Sequence, residues 1–224
     1  MSIVAVRNGF HPAAGVRFLL ESTGPAPVSA GCALGARVSE ALLQAQVERA
    51  RAGDPEAFGA LFRAFREDVA RLCRRLLGSR EEAQDATNEA FLRARIGLER
   101  YDPRKPFRPW LLSVAAHYCV DRLRRRRVEG RLFDPTDLDA ANIVAPGASP
   151  LTGLLRARDR DRIRAAVEAL PDRYRAPIVL RFFAEFDYAS IAEILGVDRA
   201  HVGTLLLRAR HRLRERLAAE ETDR

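Results

Sequence analysis

The chain has 224 residues, a net charge of +8 and an isoelectric point near 10.3, which favours a polyanionic partner such as nucleic acid. Lys105 is the only lysine among its 38 basic residues; arginine suits phosphates and guanine edges, although codon bias in a GC-rich genome also explains such an excess. The three cysteines lack CxxC spacing and no apolar run reaches membrane-spanning length, so we expect a reduced cytoplasmic setting without membrane insertion.

The N-terminal third begins without periodicity and then becomes helical. Residues 1–37 mix glycine, proline, alanine and serine, and are predicted to form a flexible extension. A first helix is predicted to begin after Ser39, its cap, and to run to about Ala52, where Gly53 ends it. Asp54-Pro55-Glu56 then supplies an N-cap, a proline in the first turn and an early acid for a second helix, which Gly78 ends.

A third helix follows Ser79, which has capping-box spacing with Glu82. Its predicted buried side consists mostly of small residues: Ala83, Ala86, Ala90, Phe91 and Leu92. Its other side is acidic and carries Glu81, Asp85, Asn88 and Glu89. From these residues alone, the default interpretation of the acidic side is a solvated face.

Residues 99–109 are predicted to form a loop in which Tyr101 and Phe107 are interleaved with basic residues and prolines. Rings among cations suit unpaired nucleic acid, because bases stack on the rings and the charges follow the backbone. The alternative is that the rings plug the edge of the core.

Trp110 is predicted to open a fourth helix, which ends in five arginines, Arg122 and Arg124–Arg127. The helix dipole favours one or two basic residues there, whereas five indicate phosphate binding.

Periodicity fails over residues 129–155, which are predicted to form an interdomain linker, and returns in residues 156–219. The last part reads as a helix-turn-helix over residues 187–216, with Gly196 in the turn and Asp198 as the second N-cap. The second helix is predicted to bury the face formed by Val202, Leu206, Ala209 and Leu213, which recur at i, i+4, i+7 and i+11. Its outward side offers Thr204, Leu207, Arg208, His211 and Arg214. An ordinary helical hairpin with a basic edge is the alternative. The fold class predicted is all-α: two small helical bundles, residues 38–128 and 156–219, joined by a flexible linker.

The order of these segments resembles the small two-domain sigma factors of bacterial RNA polymerase, of the extracytoplasmic-function (ECF) type. The resemblance covers about residues 40–217. It is based on four segments, DPEAFGALF, EEAQDATNEAFLRA, FRPWLLSVAAHYCVDRLRRRR and ALPDRYRAPIVLRFFAEFDYASIAEILGV. It implies sigma regions 2 and 4, and a function in promoter recognition and DNA melting. The partners implied are core RNA polymerase, promoter DNA (duplex and melted non-template strand) and an anti-sigma protein.

The resemblance also assigns roles to residues. It implies that the acidic helix docks on core polymerase through Asp85, Asn88, Glu89 and Phe91. It implies that the minus-ten element is opened and bound by Tyr101, Phe107, Arg108, Trp110, His117, Arg122, Arg124, Arg125 and Arg126. Trp110→Ala is therefore expected to impair strand opening more than polymerase binding. The minus-thirty-five element would be read by Arg199, His201, Thr204, Leu207, Arg208 and His211.

Two segments depart from the family pattern. Gly203, Leu205 and Leu207 stand where the recognition helix usually has Lys, Arg and His, and Ala116-His117 stands where Arg-Asn is common. Leu205 fits a buried position and Leu207 does not. Fewer phosphate contacts would weaken upstream DNA binding and flatten its salt dependence.

Three other classes of function are alternatives to this one. An enzyme is disfavoured because there is no Gly-rich phosphate loop, HExxH motif, Cys/His metal spacing or nucleophile–base pair, so no catalytic residue, cofactor or metal is predicted. A stand-alone helix-turn-helix regulator would bind operator duplex without polymerase and would need no acidic docking helix. A partner-binding regulator without promoter reading is the third, because the face at Leu207 is apolar.

Overall fold

The computed structural model describes residues 40–126, residue 133 and residues 157–222, and within these residues it contains helices and no strand. The all-α prediction is therefore confirmed. The helices are α1 (Glu40–Arg51), α2 (Pro55–Leu77), α3 (Arg80–Gly97), α4 (Phe107–Arg126), α5 (Ala157–Glu168), α6 (Asp172–Phe182), α7 (Tyr188–Leu195) and α8 (Arg199–Thr222), with a 3-10 turn at Leu98–Arg100. The predicted cap Ser39, the extension 1–37 and all of the linker 129–155 except residue 133 lie outside the described residues.

Helices α1–α4 form the first unit, in which α2, α3 and α4 all pack on one another. The Asp54 carboxylate accepts hydrogen bonds from the backbone N–H groups of Glu56 (2.9 Å) and Ala57 (3.1 Å), which satisfies free donors at the start of α2. Cys73 of α2 and Cys119 of α4 are fully buried thiols, as expected for small hydrophobic residues.

Helix α4 begins three residues earlier than predicted. Its first residue is Phe107 rather than Trp110, so that Pro109 lies within the first turn. Proline is tolerated there because the first turn of a helix has no internal acceptor for its backbone N–H groups.

Helices α5–α8 form the second unit, and α7 and α8 are the predicted helix-turn-helix. Gly196 has φ of +58° and ends α7, and the Asp198 carboxylate accepts a hydrogen bond of 2.7 Å from the His201 backbone N–H. Both features were predicted and both are confirmed. The face of α8 predicted to be buried is buried: Val202, Leu206, Ala209 and Leu213.

Two glycines near the turn give opposite predictions for stability. A methyl group at Gly203 would lie 4.0 Å from Cε2 of Tyr188, an ordinary contact. We therefore expect Gly203→Ala to raise the free energy of unfolding by up to about 1 kcal/mol, because alanine favours the helix interior. Gly196→Ala, the matched control, should lower it by about 1 kcal/mol, because its φ is positive and its Cβ would lie 2.8 Å from Nη2 of Arg124. Urea denaturation of both variants measures the difference, and equal midpoints would contradict the prediction.

Two arginines connect the units, each at a helix C-terminus of the other unit. Nη2 of Arg175, on α6, donates to the Leu76 carbonyl near the end of α2 (3.0 Å). Nη2 of Arg124, on α4, donates to the Leu195 carbonyl at the end of α7 (2.6 Å). Terminal carbonyls of a helix lack internal donors, so both arginines cap helices. We call these two contacts the reciprocal arginine caps.

Candidate protein and nucleic-acid interface

The acidic side of α3 is only partly available to a partner. Asp85 and Asn88 are exposed, whereas Glu89 is half-buried and binds Arg93, with 2.7 Å between Oε1 and Nε. Phe91, a predicted docking residue, is 4% exposed. Its ring packs against Phe62 at a centroid distance of 4.6 Å. Phe91 is therefore a core residue, and its assignment to the docking surface is corrected.

Two apolar residues that were not predicted take its place on the surface. Leu92 is 59% and Ile96 is 72% exposed, although Leu92 was expected to be buried. The sequence could have predicted this exposure, since residues 92 and 96 follow Asp85 by seven and eleven positions, a spacing that places all three on one face of a helix. We define the α3 face as Asp85, Asn88, Glu89, Leu92 and Ile96.

The three rings near the start of α4 are buried, contrary to the stacking interpretation. Tyr101 and Phe107 are each 3% exposed and Trp110 is 5% exposed. The Trp110 ring lies 4.9 Å from that of Tyr101 and 5.5 Å from that of Phe107. The Tyr101 hydroxyl donates to the Lys105 carbonyl within the loop. Their burial agrees with the alternative prediction, that these rings close the edge of the core. They support the loop but offer no face to a base.

The arginines at the end of α4 are engaged within the protein. Arg122 and Arg126 share the carboxylate of Glu82. The backbone N–H of Glu82 donates to the Ser79 hydroxyl at 3.4 Å. Arg124 pairs with Asp121 at 3.1 Å, and Arg125 is exposed. Ion pairs this accessible contribute at most about 1 kcal/mol each, so a phosphate can displace them.

Arg108 and His117 are the remaining residues predicted to bind the minus-ten element. Nε of Arg108 lies 2.7 Å from Oδ2 of Asp68, and its side chain is 42% exposed. His117 is half-buried, and its Nδ1 lies 2.8 Å from the Ser113 carbonyl, to which a protonated Nδ1 donates. Arg127 lies outside the described residues.

Burial lowers the pKa of His117 below its ordinary value of 6.5. The folded protein therefore binds this proton less readily than the unfolded chain does. Neutral His117 therefore contributes to the free energy of unfolding above pH 6.5, and this contribution is lost as the pH falls below that value. We expect the free energy of unfolding to decline more steeply between about pH 6.5 and 5 for the wild type than for His117→Gln. Urea titrations across this range measure it, and parallel curves would contradict it.

The recognition helix exposes fewer of the predicted residues than expected. Arg199 is exposed, and Thr204, Leu207, Arg208 and His211 are half-buried. His201 is only 7% exposed, so its assignment to base reading is corrected. It belongs to the buried side because it adjoins Val202 and lies four residues before Leu205, which is fully buried. The expectation that Leu205 is core is confirmed.

Across residues 40–126 and 157–222, no group of three His, Cys, Asp or Glu side chains is placed to hold a metal ion. None of the helices in those same ranges is both long enough and apolar enough to span a membrane.

Comparison with known proteins matches both units. The family model of sigma-70 region 2 matches residues 61–129, and that of sigma-70 region 4 matches residues 160–213. The ECF RNA polymerase sigma factor SigW of Bacillus subtilis is 29% identical over 187 residues, covering 80% of this chain and 98% of SigW. BldN of Streptomyces coelicolor, also an ECF sigma factor, is 31% identical over 165 residues, covering 73% of this chain and 61% of BldN. The solved structure of CnrH in complex with the cytosolic domain of CnrY has a TM-score of 0.50 and 22% identity, covering 79% and 97% of the two chains.

The two helical units, matched in order by regions 2 and 4, define an RNA polymerase sigma factor of the sigma-70 class. Within that class the chain belongs to the ECF family, as SigW and BldN do, and a stand-alone operator-binding regulator is not the favoured function.

Proposed function

We propose that the α3 face docks on core RNA polymerase. The observation that carries the proposal is the exposed pair Leu92 and Ile96, continuing the line of Asp85 and Asn88 along one helix. Exposed large apolar side chains beside charges are typical of a protein interface, in which the apolar part supplies affinity and the charges supply orientation. An arginine-rich surface on the polymerase would complement the acids.

The end of α4 is proposed to hold the minus-ten element. Arg108, Arg122, Arg124, Arg125 and Arg126 would bind phosphates, with His117 beside them on the same helix. The buried rings of Tyr101, Phe107 and Trp110 would position the loop rather than stack on bases. Phosphates fit this site because the ion-pair partners of Arg108, Arg122 and Arg126 are accessible and weakly held. Arg124 would first have to release its cap on the Leu195 carbonyl.

Helix α8 is proposed to enter the major groove of the minus-thirty-five element, with Arg199, Thr204, Leu207, Arg208 and His211 on the side that faces DNA. The protein would work in the cytoplasm and select promoters for the polymerase, which carries out the chemistry. An anti-sigma protein is a further proposed partner; CnrH, whose fold is similar, was solved in complex with the cytosolic domain of CnrY.

A charge reversal on α3 tests the docking proposal. We expect Asp85→Arg with Leu92→Arg to reduce binding to core polymerase at least 100-fold, because it places two cations opposite an arginine-rich surface and removes apolar contact. Pull-down with purified core polymerase at moderate salt measures it. The control is Glu67→Arg, whose side chain is 83% exposed on α2 and outside the α3 face. Retained binding by the double variant would refute the docking site.

A further inference from the structure

The base-reading part of the recognition helix is unusually apolar. In a helix-turn-helix the first two turns of the second helix approach the base edges. Here the residues that face outward over those turns are Ala200, Gly203, Thr204 and Leu207, spaced i, i+3, i+4 and i+7 and none of them buried. They lie opposite Val202, Leu205 and Leu206, which hold α8 to the core. Beyond Arg199 at the first position, no charged side chain belongs to this surface.

The neighbouring helix extends the same surface. Tyr188, the first residue of α7, is 39% exposed, and its Cε2 lies close enough to α8 that a Cβ at Gly203 would be 4.0 Å from it. The Thr204 hydroxyl already donates to the Ala200 carbonyl at 3.3 Å, so its hydrogen is used within the helix. The result is a surface of Tyr188, Gly203 and Leu207 that offers mostly van der Waals contact, together with the hydroxyl of Tyr188.

We propose that α8 reads the upstream promoter element through thymine C5-methyl groups packed against Leu207, and not through charged donors to guanine. Of the four base pairs, only those with thymine place a methyl group in the major groove. A guanine or cytosine edge facing Leu207 would lose hydrogen bonds to water and gain none from the protein, which penalises it. Arg199 and Arg208, at the borders of the surface, bind the phosphates on either side. The inference rests on the proposed placement of α8 in the minus-thirty-five element.

The occupant is DNA rather than a protein because of the charge around the surface. Arg199 is exposed, Arg208 is half-buried, and Arg214 is exposed two turns further along α8. The chain as a whole carries a net charge of +8. An apolar patch bordered by arginines complements a groove floored by methyl groups and walled by phosphates.

Selection from randomised DNA tests the proposal. Core polymerase saturated with the full chain is incubated with promoter duplexes whose upstream hexamer is randomised, made once with thymidine and once with deoxyuridine, which lacks the C5-methyl. We expect bound duplexes to be enriched for thymine at one or two positions, by roughly four-fold for each methyl buried. The enrichment should disappear in the deoxyuridine pool. Equal enrichment in both pools, enrichment for guanine, or no sequence enrichment would overturn the proposal, the last leaving the surface to a protein partner.

Variants of Leu207 make the test specific. Leu207→Ala should abolish the thymine preference while the protein still binds polymerase, and Leu207→Arg should replace it with guanine at the same position. Ala219→Arg adds the same charge at an exposed position near the end of α8 and should leave the preference unchanged. Arg199→Ala should weaken all duplexes alike. If the chain fails to bind core polymerase at all, the proposed function fails; if it binds without thymine preference, only this inference fails.

Discussion

Trp110→Ala is expected to lower the free energy of unfolding by about 3–5 kcal/mol, the usual cost of removing a large buried ring. Trp110 is 5% exposed and contacts the rings of both Tyr101 and Phe107, so its removal opens a cavity at the start of α4. The position of the loop before α4 depends on the packing of these three rings. Loss of polymerase binding and loss of strand opening should therefore appear together and follow the fraction unfolded.

Urea denaturation followed by circular dichroism measures the effect. The control is Phe182→Ala, which removes a ring that is 48% exposed and should cost much less. A Trp110→Ala protein as stable as the wild type, yet unable to produce a permanganate-reactive bubble with polymerase, would restore the direct role in strand opening that the sequence suggested.

Arg175→Ala is the second substitution from which we expect a large effect, about 3–5 kcal/mol lost. Arg175 is 8% exposed, and its guanidinium donates to the carbonyls of Leu76, Glu168 and Leu170. It also forms an ion pair with Asp172. Removing it leaves that carboxylate and the carbonyls without their donor, and an unpaired buried polar group is costly.

The same substitution should separate the two units, because Arg175 provides one of the reciprocal arginine caps. We expect the radius of gyration in small-angle X-ray scattering to rise for Arg175→Ala. Arg125→Ala, which removes an exposed arginine of α4, is the control and should change neither stability nor size. An Arg175→Ala protein with wild-type stability would show that water replaces these hydrogen bonds at no cost.

Local chemistry made much of the fold predictable. Asp54, Gly78, Ser79, Gly196 and Asp198 mark helix ends through capping groups that act within a few residues, and the structure places all five at helix ends. The buried face of α8 followed from its regular spacing of large apolar residues. The resemblance to the sigma factors followed from the order of these segments.

The errors arose where a side chain's environment depends on distant residues. On α3 the buried side is built mostly of alanine, so the apolar pattern did not decide whether Phe91 or Leu92 points inward, and neighbours differ by about 100°. The rings of Tyr101, Phe107 and Trp110 looked exposed because the loop around them is basic and proline-rich. Their burial depends on packing against one another and on Phe65 of α2, which the local sequence does not contain.

The reciprocal arginine caps also bear on how promoter binding is controlled. Sites named minus-ten and minus-thirty-five are about 25 base pairs apart, or roughly 85 Å of B-form DNA at 3.4 Å per pair. If each unit binds one of these sites, as proposed, units joined by contacts of 3.0 Å and 2.6 Å cannot reach both without parting. Each hydrogen bond from a charged group is worth about 1.5–3 kcal/mol, so parting imposes an energy threshold on the free protein. DNA alone would have to offset the cost of separating the units. A polymerase that binds the two units at separate places would offset that cost before DNA binds.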